Sequence, residues 1–196
     1  PEAHEWVDAA LFTDTTCEIV PLVGPTIRPR HELLLRPISA VCHNGTIHDG
    51  SEYGEINVLS KSVGDWCEQT RLEYGESLIL DMGQNMVGVP EIKIKGSAGQ
   101  KIVFRFGEML NVDGTLYTEN LRSALQTDTY IMSGDENGEV FHPHFTFHGF
   151  RYIEISGLDY VPTIEDIKGC VIYSACERTG YIETSNAMVN KLFSNA

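Results

Sequence analysis

Apolar and polar residues alternate through most of the chain. "SLILDMG" (77–83) puts Leu78, Leu80 and Met82 on one side, with Ser77 and Asp81 on the other. "EIKIKG" sets Ile92 and Ile94 against Glu91, Lys93 and Lys95, and "KIVFRFGEML" sets Ile102, Phe104 and Phe106 against Lys101, Val103 and Arg105. "EINVLS", with Ile56 and Val58 on one face, "DTYIMSG", "EDIKGCVIYSA" and "TGYIE" continue the pattern. A repeat of two is the period of a half-buried strand. Turn-forming clusters separate these runs: "GSAGQ" at 96–100, "NVDG" at 111–114, "SGDENGE" at 133–139 and "SGLDYVP" at 156–162. Many short one-sided strands without a βαβ rhythm predict an all-β fold, an antiparallel β-sandwich of jelly-roll or supersandwich type. Only the end of the chain turns helical: Ser185 offers an N-cap, and Met188, Val189, Leu192 and Phe193 then recur at helical spacing. A helix so short is marginal unless its apolar stripe is covered.

"HPHFTFHGFRYIEISG" (142–157) raises a chemical question, because His142, His144 and His148 lie within seven positions. As one strand, the stretch places the three histidines on a face with Phe150 and Tyr152, and Phe145, Phe147, Ile153 and Ile155 on the other. A His-x-His pair plus a third histidine has the donors for a transition metal. A cupin-type set also needs a glutamate a few residues on and a later histidine. Gly149 occupies the glutamate position, and no histidine follows His148. The stretch is therefore read as a structural strand, with no metal and no cofactor expected.

Composition narrows the function. The chain has 196 residues, 42% of them apolar, enough to bury a substantial core, and a formal net charge of −14. That charge opposes nucleic acids and anionic membranes. The five cysteines, Cys17, Cys42, Cys67, Cys170 and Cys176, make no C-x-x-C pair and read as small core residues. "VGPTIRPR" has the composition of a linker, which places a boundary near residue 30, and a second falls near 180 before the capped helix.

Other candidate chemistry is sparse. Asn111, Asp113 and Glu119 around "NVDG" are oxygen donors, but their order does not fit a calcium loop. Asp81, Glu108, Glu119 and Asp128 are available carboxylates, and nothing in their spacing sets a mutual distance. "GQNMVG" lacks the lysine of a phosphate loop. The long polar segment "YTENLRSALQTDTY" (117–130) carries Asn120, Arg122, Gln126 and Asp128, and loops of this kind are often functional. Asp128 would either orient Arg122 or cap the next strand. Tyr117, Tyr130, Tyr152 and Trp66 are aromatic surfaces on which a sugar ring could stack.

"DMGQNMVG", "GEMLNVDGTLYTENLRSALQTDTY" and "FTFHGFRYIEISG", in this order and spacing, resemble the bacterial α-L-rhamnosidases of glycoside hydrolase family 78. "ERTGYIETSNAMVNKLFSNA" looks like the junction into their helical barrel, and "EWVDAALF" like the tail of a preceding jelly roll. The resemblance spans roughly residues 30–196. It implies a concanavalin-like sandwich preceding an (α/α)6 barrel that carries the catalytic carboxylates. It implies a parent enzyme that removes terminal α-L-rhamnose from glycosides or polysaccharides with inversion. The expected division is residues 1–30 as tail and linker, 31–180 as sandwich and 181–196 as the start of the catalytic domain. No catalytic residue of the family maps onto this chain, which by itself is expected to be inactive. Asn120, Arg122, Asp128 and Arg151 are the candidates for the domain interface or the substrate rim, with Arg151 tying neighbouring loops. Gly149 is expected to mark a bulge or a close backbone approach. Expected partners are the barrel of the same parent chain and, through it, a rhamnose-containing glycan, with no nucleic acid and no membrane. A bacterial parent comes with the resemblance; its compartment is left open, with periplasmic or secreted slightly ahead of cytoplasmic. An independent carbohydrate-binding module is the alternative.

Overall fold

The computed structural model describes residues 7–13, 16–47, 55–61 and 69–195. Its strands are β1 (Ile27–Leu35), β2 (Ser39–Ile47), β3 (Glu55–Lys61), β4 (Ser77–Ile94), β5 (Lys101–Gly107), β6 (Met109–Leu110), β7 (Leu116–Tyr117), β8 (Thr127–Ile131), β9 (Glu139–Phe141), β10 (His148–Ser156) and β11 (Ile167–Ser174). One helix, α1 (Ala187–Asn195), follows. The pairings between these strands are antiparallel.

The long strand β4 organises the sandwich. Its first part, around Leu78–Asp81, lies between β2 and β10. Its last part pairs with β11 through Gly88–Ile92 and with β9 through Ile92–Ile94. One strand thus passes from one layer to the other, and the sheet, ordered β1-β11-β4-β10-β5-β8 with β2, β3 and β9 alongside, curls over its own apolar face. Gly88 is required where β4 and β11 press together, since a Cβ there would stand 2.5 Å from the Cys170 carbonyl oxygen.

The predicted inward residues form the core: Leu78, Leu80, Ile92, Ile94, Ile102, Phe104, Phe106, Ile153 and Ile155 are fully buried. The Phe104 and Phe141 rings stack at 4.1 Å, adding aromatic contact to the burial of area.

Several expectations are corrected. The strand at 142–157 begins only at His148. Pro143 cannot donate to a ladder, and Phe145 takes a left-handed backbone (φ 61°) that a bulky residue rarely adopts. Phe145 and Phe147 are therefore exposed rather than inward. His148 and Phe150 are buried together, but Tyr152 is not on their face, because the register shifts between Phe150 and Tyr152 and brings Ile153 and Ile155 inward. Gly149 has room for a side chain, so the irregularity lies beyond it rather than at it. "TGYIE" is not a strand, and Tyr181 and Ile182 are exposed. The cap of α1 is Asn186, whose Oδ1 accepts from the Met188 and Val189 N–H groups, not Ser185. Of the cysteines, Cys42 and Cys170 are buried while Cys17 and Cys176 are exposed; Cys67 lies outside the described residues.

Candidate functional site

Three of the sequence stretches meet at one corner of the sandwich. Phe150 pairs with Met86 and Tyr152 with Asp81, so Arg151 alone stands opposite the whole of 82–85 on β4. That bulge is the "MGQN" of "DMGQNMVG". Gly83 takes φ 76° to make the turn, and its N–H donates to Asp81 Oδ1 at 2.7 Å. Arg151 closes the bulge from β10: its Nε and Nη2 donate to Asp81 Oδ1 and Oδ2, both at 2.8 Å. This is the fork geometry that only arginine offers. Burial works to raise the Asp81 pKa, but the Arg151 hydrogen bonds, the Gly83 N–H and the guanidinium charge outweigh it and hold the carboxyl below its ordinary value. Arg151 therefore ties β10 to the β4 bulge.

Glu108 fastens the next loop to this corner. Asn85 Nδ2 donates to its Oε1 at 2.9 Å, and Asn120 Nδ2 to its Oε2 at 3.3 Å. Asn120 sits in a short 3-10 turn, Glu119–Leu121, inside the long polar segment. Gln126 ends that segment: its side chain donates to the Gly149 carbonyl at 3.3 Å, and its own carbonyl accepts the Phe106 N–H at 3.0 Å. Arg122 (φ 55°) and Gln126 (φ 44°) both hold left-handed backbones. Strain of this kind collects at functional sites. Arg122 is exposed and makes no side-chain hydrogen bond or ion pair with the described residues.

Asp128 departs from both readings offered for it. It lies within β8 and meets His148 Nε2 at 2.9 Å, with both side chains largely buried. The His148 ring stacks on Phe106 at 4.2 Å. Asp128 thus anchors the buried histidine and does not orient Arg122. The β4 bulge and Glu108 bring Asn120 and Arg151 to one corner, Asp128 lies on β8 against His148, and Arg122 directly follows the Glu119–Leu121 turn without a side-chain hydrogen bond or ion pair to any of them. Sequence reasoning missed Asn85 and the linking role of Glu108. The available signal was "GQN" (83–85), a polar triplet interrupting the apolar run between Met82 and Met86.

The other candidates separate. His142 and His144 meet edge-on at 5.8 Å outside the sheet, while His148 belongs to the core. Asn111, Asp113 and Glu119 border one open depression of about 660 Å³. There Asp113 Oδ1 accepts from the Thr115 N–H and hydroxyl, and Asn111 Nδ2 donates to the Thr115 hydroxyl, which builds a turn. Tyr117, Tyr130 and Tyr152 are half-buried, and the Tyr130 hydroxyl donates to Glu139. Trp66 lies outside the described residues. No helix among the described residues is long and apolar enough to cross a membrane.

Residues 71–173 match the family described as the bacterial alpha-L-rhamnosidase concanavalin-like domain. A curated alpha-L-rhamnosidase from Streptomyces avermitilis is 46% identical over 117 residues, 60% of this chain and 11% of that protein. One from Formosa agariphila is 45% identical over 122 residues, 61% of this chain and 13% of that protein. The crystal structure of the Streptomyces avermitilis alpha-L-rhamnosidase complexed with L-rhamnose superposes with a TM-score of 0.63 at 34% identity, over 90% of this chain and 14% of that one. The alpha-L-rhamnosidase from Dictyoglumus thermophilum superposes with a TM-score of 0.60 at 33% identity, over 86% and 16%. The chain therefore spans only a small part of the length of the relatives it matches.

Proposed function

The chain belongs to the bacterial alpha-L-rhamnosidase concanavalin-like domain family, and from that premise we propose that it is the non-catalytic β-sandwich of an enzyme that hydrolyses terminal α-L-rhamnose with inversion. Its partner is the catalytic (α/α)6 barrel of the same parent chain, and a rhamnose-containing glycan is the parent's substrate. In this reading residues 1–30 are the tail and linker of a preceding unit, 31–180 the sandwich, and 181–196 the first helix of the barrel. The stripe of Met188, Val189 and Leu192 left exposed on α1 supports that last assignment.

The observation that carries the reading is the corner itself. Its acids are held in place: Asp81 by Arg151, Glu108 by two asparagines and Asp128 by His148. Arg122 follows Asn120 on a strained loop, and its planar donor face meets no hydrogen-bond or ion-pair partner among the described residues. Leu125 and Phe147, on the two segments that Gln126 joins, are exposed. A rigid polar base, an arginine without a partner among the described residues and apolar flanks suit an interface near the rim of a sugar site better than an isolated surface.

In the full-length enzyme, Arg122→Ala should lower kcat/KM by roughly tenfold, about 1.4 kcal/mol of lost stabilisation. The present chain carrying the same change should keep its stability, and should not turn over p-nitrophenyl α-L-rhamnoside with or without it. Loss of stability in the isolated chain, with the full-length enzyme keeping its rate per folded molecule, would make Arg122 a structural clamp and overturn the rim assignment.

A further inference from the structure

On the layer formed by β1, β11, β4 and β9, three different metal-binding side chains converge. Val89 pairs with Cys170 and Glu91 with Lys168, so Glu91 and Cys170 are diagonal neighbours on one face. Phe141 pairs with Ile92, and His142, the next residue, brings its imidazole beside Glu91. A sulfur, a nitrogen and a carboxylate oxygen of Cys170, His142 and Glu91 all lie within 4.8 Å of one another. They open into a cavity of about 310 Å³ with apolar walls from Leu34, Val89 and Ile172 and with His31 on its border. We propose that this cavity binds a thiophilic divalent cation of the zinc class through Cys170 Sγ, an imidazole nitrogen of His142 and a carboxylate oxygen of Glu91.

Borderline-soft zinc takes this mixed set of donors, with bonds of about 2.0–2.3 Å that place tetrahedral ligands roughly 3.5 Å apart. The donors must close by about an ångström from their present spread, on the same scale. His142 and Glu91 are free to do so, since His142 is exposed at a strand end and Glu91 is half-exposed. The fourth position falls to His31 or to water. His31 lies in the stretch of β1 between Pro29 and Leu34, where the ladder to β11 breaks.

Two features of the site set how it loads. The Cys170 thiol is buried in the cavity wall. The cation supplies the charge the thiolate lacks: the S–H bond breaks, the metal–sulfur bond forms and the proton leaves to solvent. Glu91 is ion-paired with Lys168 in the metal-free site. Binding must release that ammonium, so Lys168 competes with the cation. A structural ion pair alone accounts for Glu91 and Lys168 but not for the convergence of Cys170 and His142 on them.

The test is titration of the untagged, metal-stripped chain with Co²⁺, followed by its thiolate-to-cobalt charge-transfer absorption, and with Zn²⁺ by calorimetry in buffers of different ionisation enthalpy. One equivalent should bind with release of a proton. His142→Ala, at an exposed position, should weaken binding at least about tenfold. Cys170→Ser should abolish the charge-transfer band, and Lys168→Gln should tighten binding. Cys17→Ser with Cys176→Ser should leave all of this unchanged. Absence of the band in the wild-type chain, its loss in the Cys17/Cys176 variant, or Zn²⁺ binding indifferent to His142 would overturn the proposal.

Discussion

Asp81 and Glu91 lie on the same strand, and each faces a basic residue from the neighbouring one. At Asp81 the partner is Arg151, delivered by a register break and bonded through two nitrogens to two oxygens. At Glu91 it is Lys168, directly opposite in a regular ladder and bonded through one nitrogen. The Asp81 side chain is 16% exposed, against 36% for Glu91. A planar fork in a bulge leaves its carboxylate no other occupation. A single ammonium on a flexible stem can be displaced. The first corner is therefore rigid and the second exchangeable, although both appear in sequence only as an acid on an outward strand position.

The sharpest way to break this comparison is to remove what lies under the first corner. Phe106 is fully buried and packs on both His148 and Phe150. Phe106→Ala should destabilise the chain by about 3–5 kcal/mol, measured by denaturant unfolding, and should expose Arg151 and His148 to faster exchange than Lys168. A loss spread evenly over both corners would mean that the sandwich does not distinguish them.

Arg151→Ala should cost about 1–3 kcal/mol, because it leaves Asp81 largely buried without its charge-assisted bonds. This variant also carries a pH signature. The folded carboxyl of Asp81 is held below its ordinary value. Its contribution is therefore complete above the unfolded carboxylate pKa and is lost as pH falls through the folded one. The wild-type chain should lose stability down that acid limb, and Arg151→Ala should flatten it. Glu139, held at about 2 first by the Ser133 N–H and further by the Tyr130 hydroxyl and the Gly134 and Asp135 N–H groups, contributes with the same sign. It remains as an internal reference in both proteins. An unchanged acid limb would show that Asp81 draws its shift from elsewhere.

The smallest effect is expected at Lys168. Lys168→Ala should change stability by no more than about 0.5 kcal/mol, since half-exposed single pairs contribute little. A cost equal to that of Arg151→Ala would erase the difference between the two corners.

Much of the fold was legible along the chain. The alternation in "SLILDMG", "EIKIKG" and "KIVFRFGEML" identified strands and their inward residues, because a side-chain period of two is a local property of extended backbone. The composition of "SGDENGE" and "NVDG" identified turns for the same local reason. What failed was phase. The alternation in "FTFHGFRYIEI" reads as one strand, yet its phase changes at Arg151 and its regular pairing starts only at His148. A bulge is decided by the strand across from it, so Ile153 and Ile155 went inward in place of Tyr152, while Phe145 and Phe147, ahead of the strand, stayed exposed.

The candidate site divides the same way. Residue type alone marked Asn120, Arg122 and Arg151 as polar groups in places where a plain sandwich needs none. Only the tertiary structure paired Asp128 with His148, joined Asn85 to Asn120 through Glu108, and gave Arg122 no side-chain partner among the described residues. The sequence by itself determined the strands, the turns and the family to which their spacing belongs, since each depends on neighbours a few residues apart. Which acid meets which base was decided by register between strands far apart in sequence: Asp81 with Arg151, Glu91 with Lys168, and Cys170 beside His142. Those meetings depend on how one long strand crosses between two layers, which no local pattern encodes.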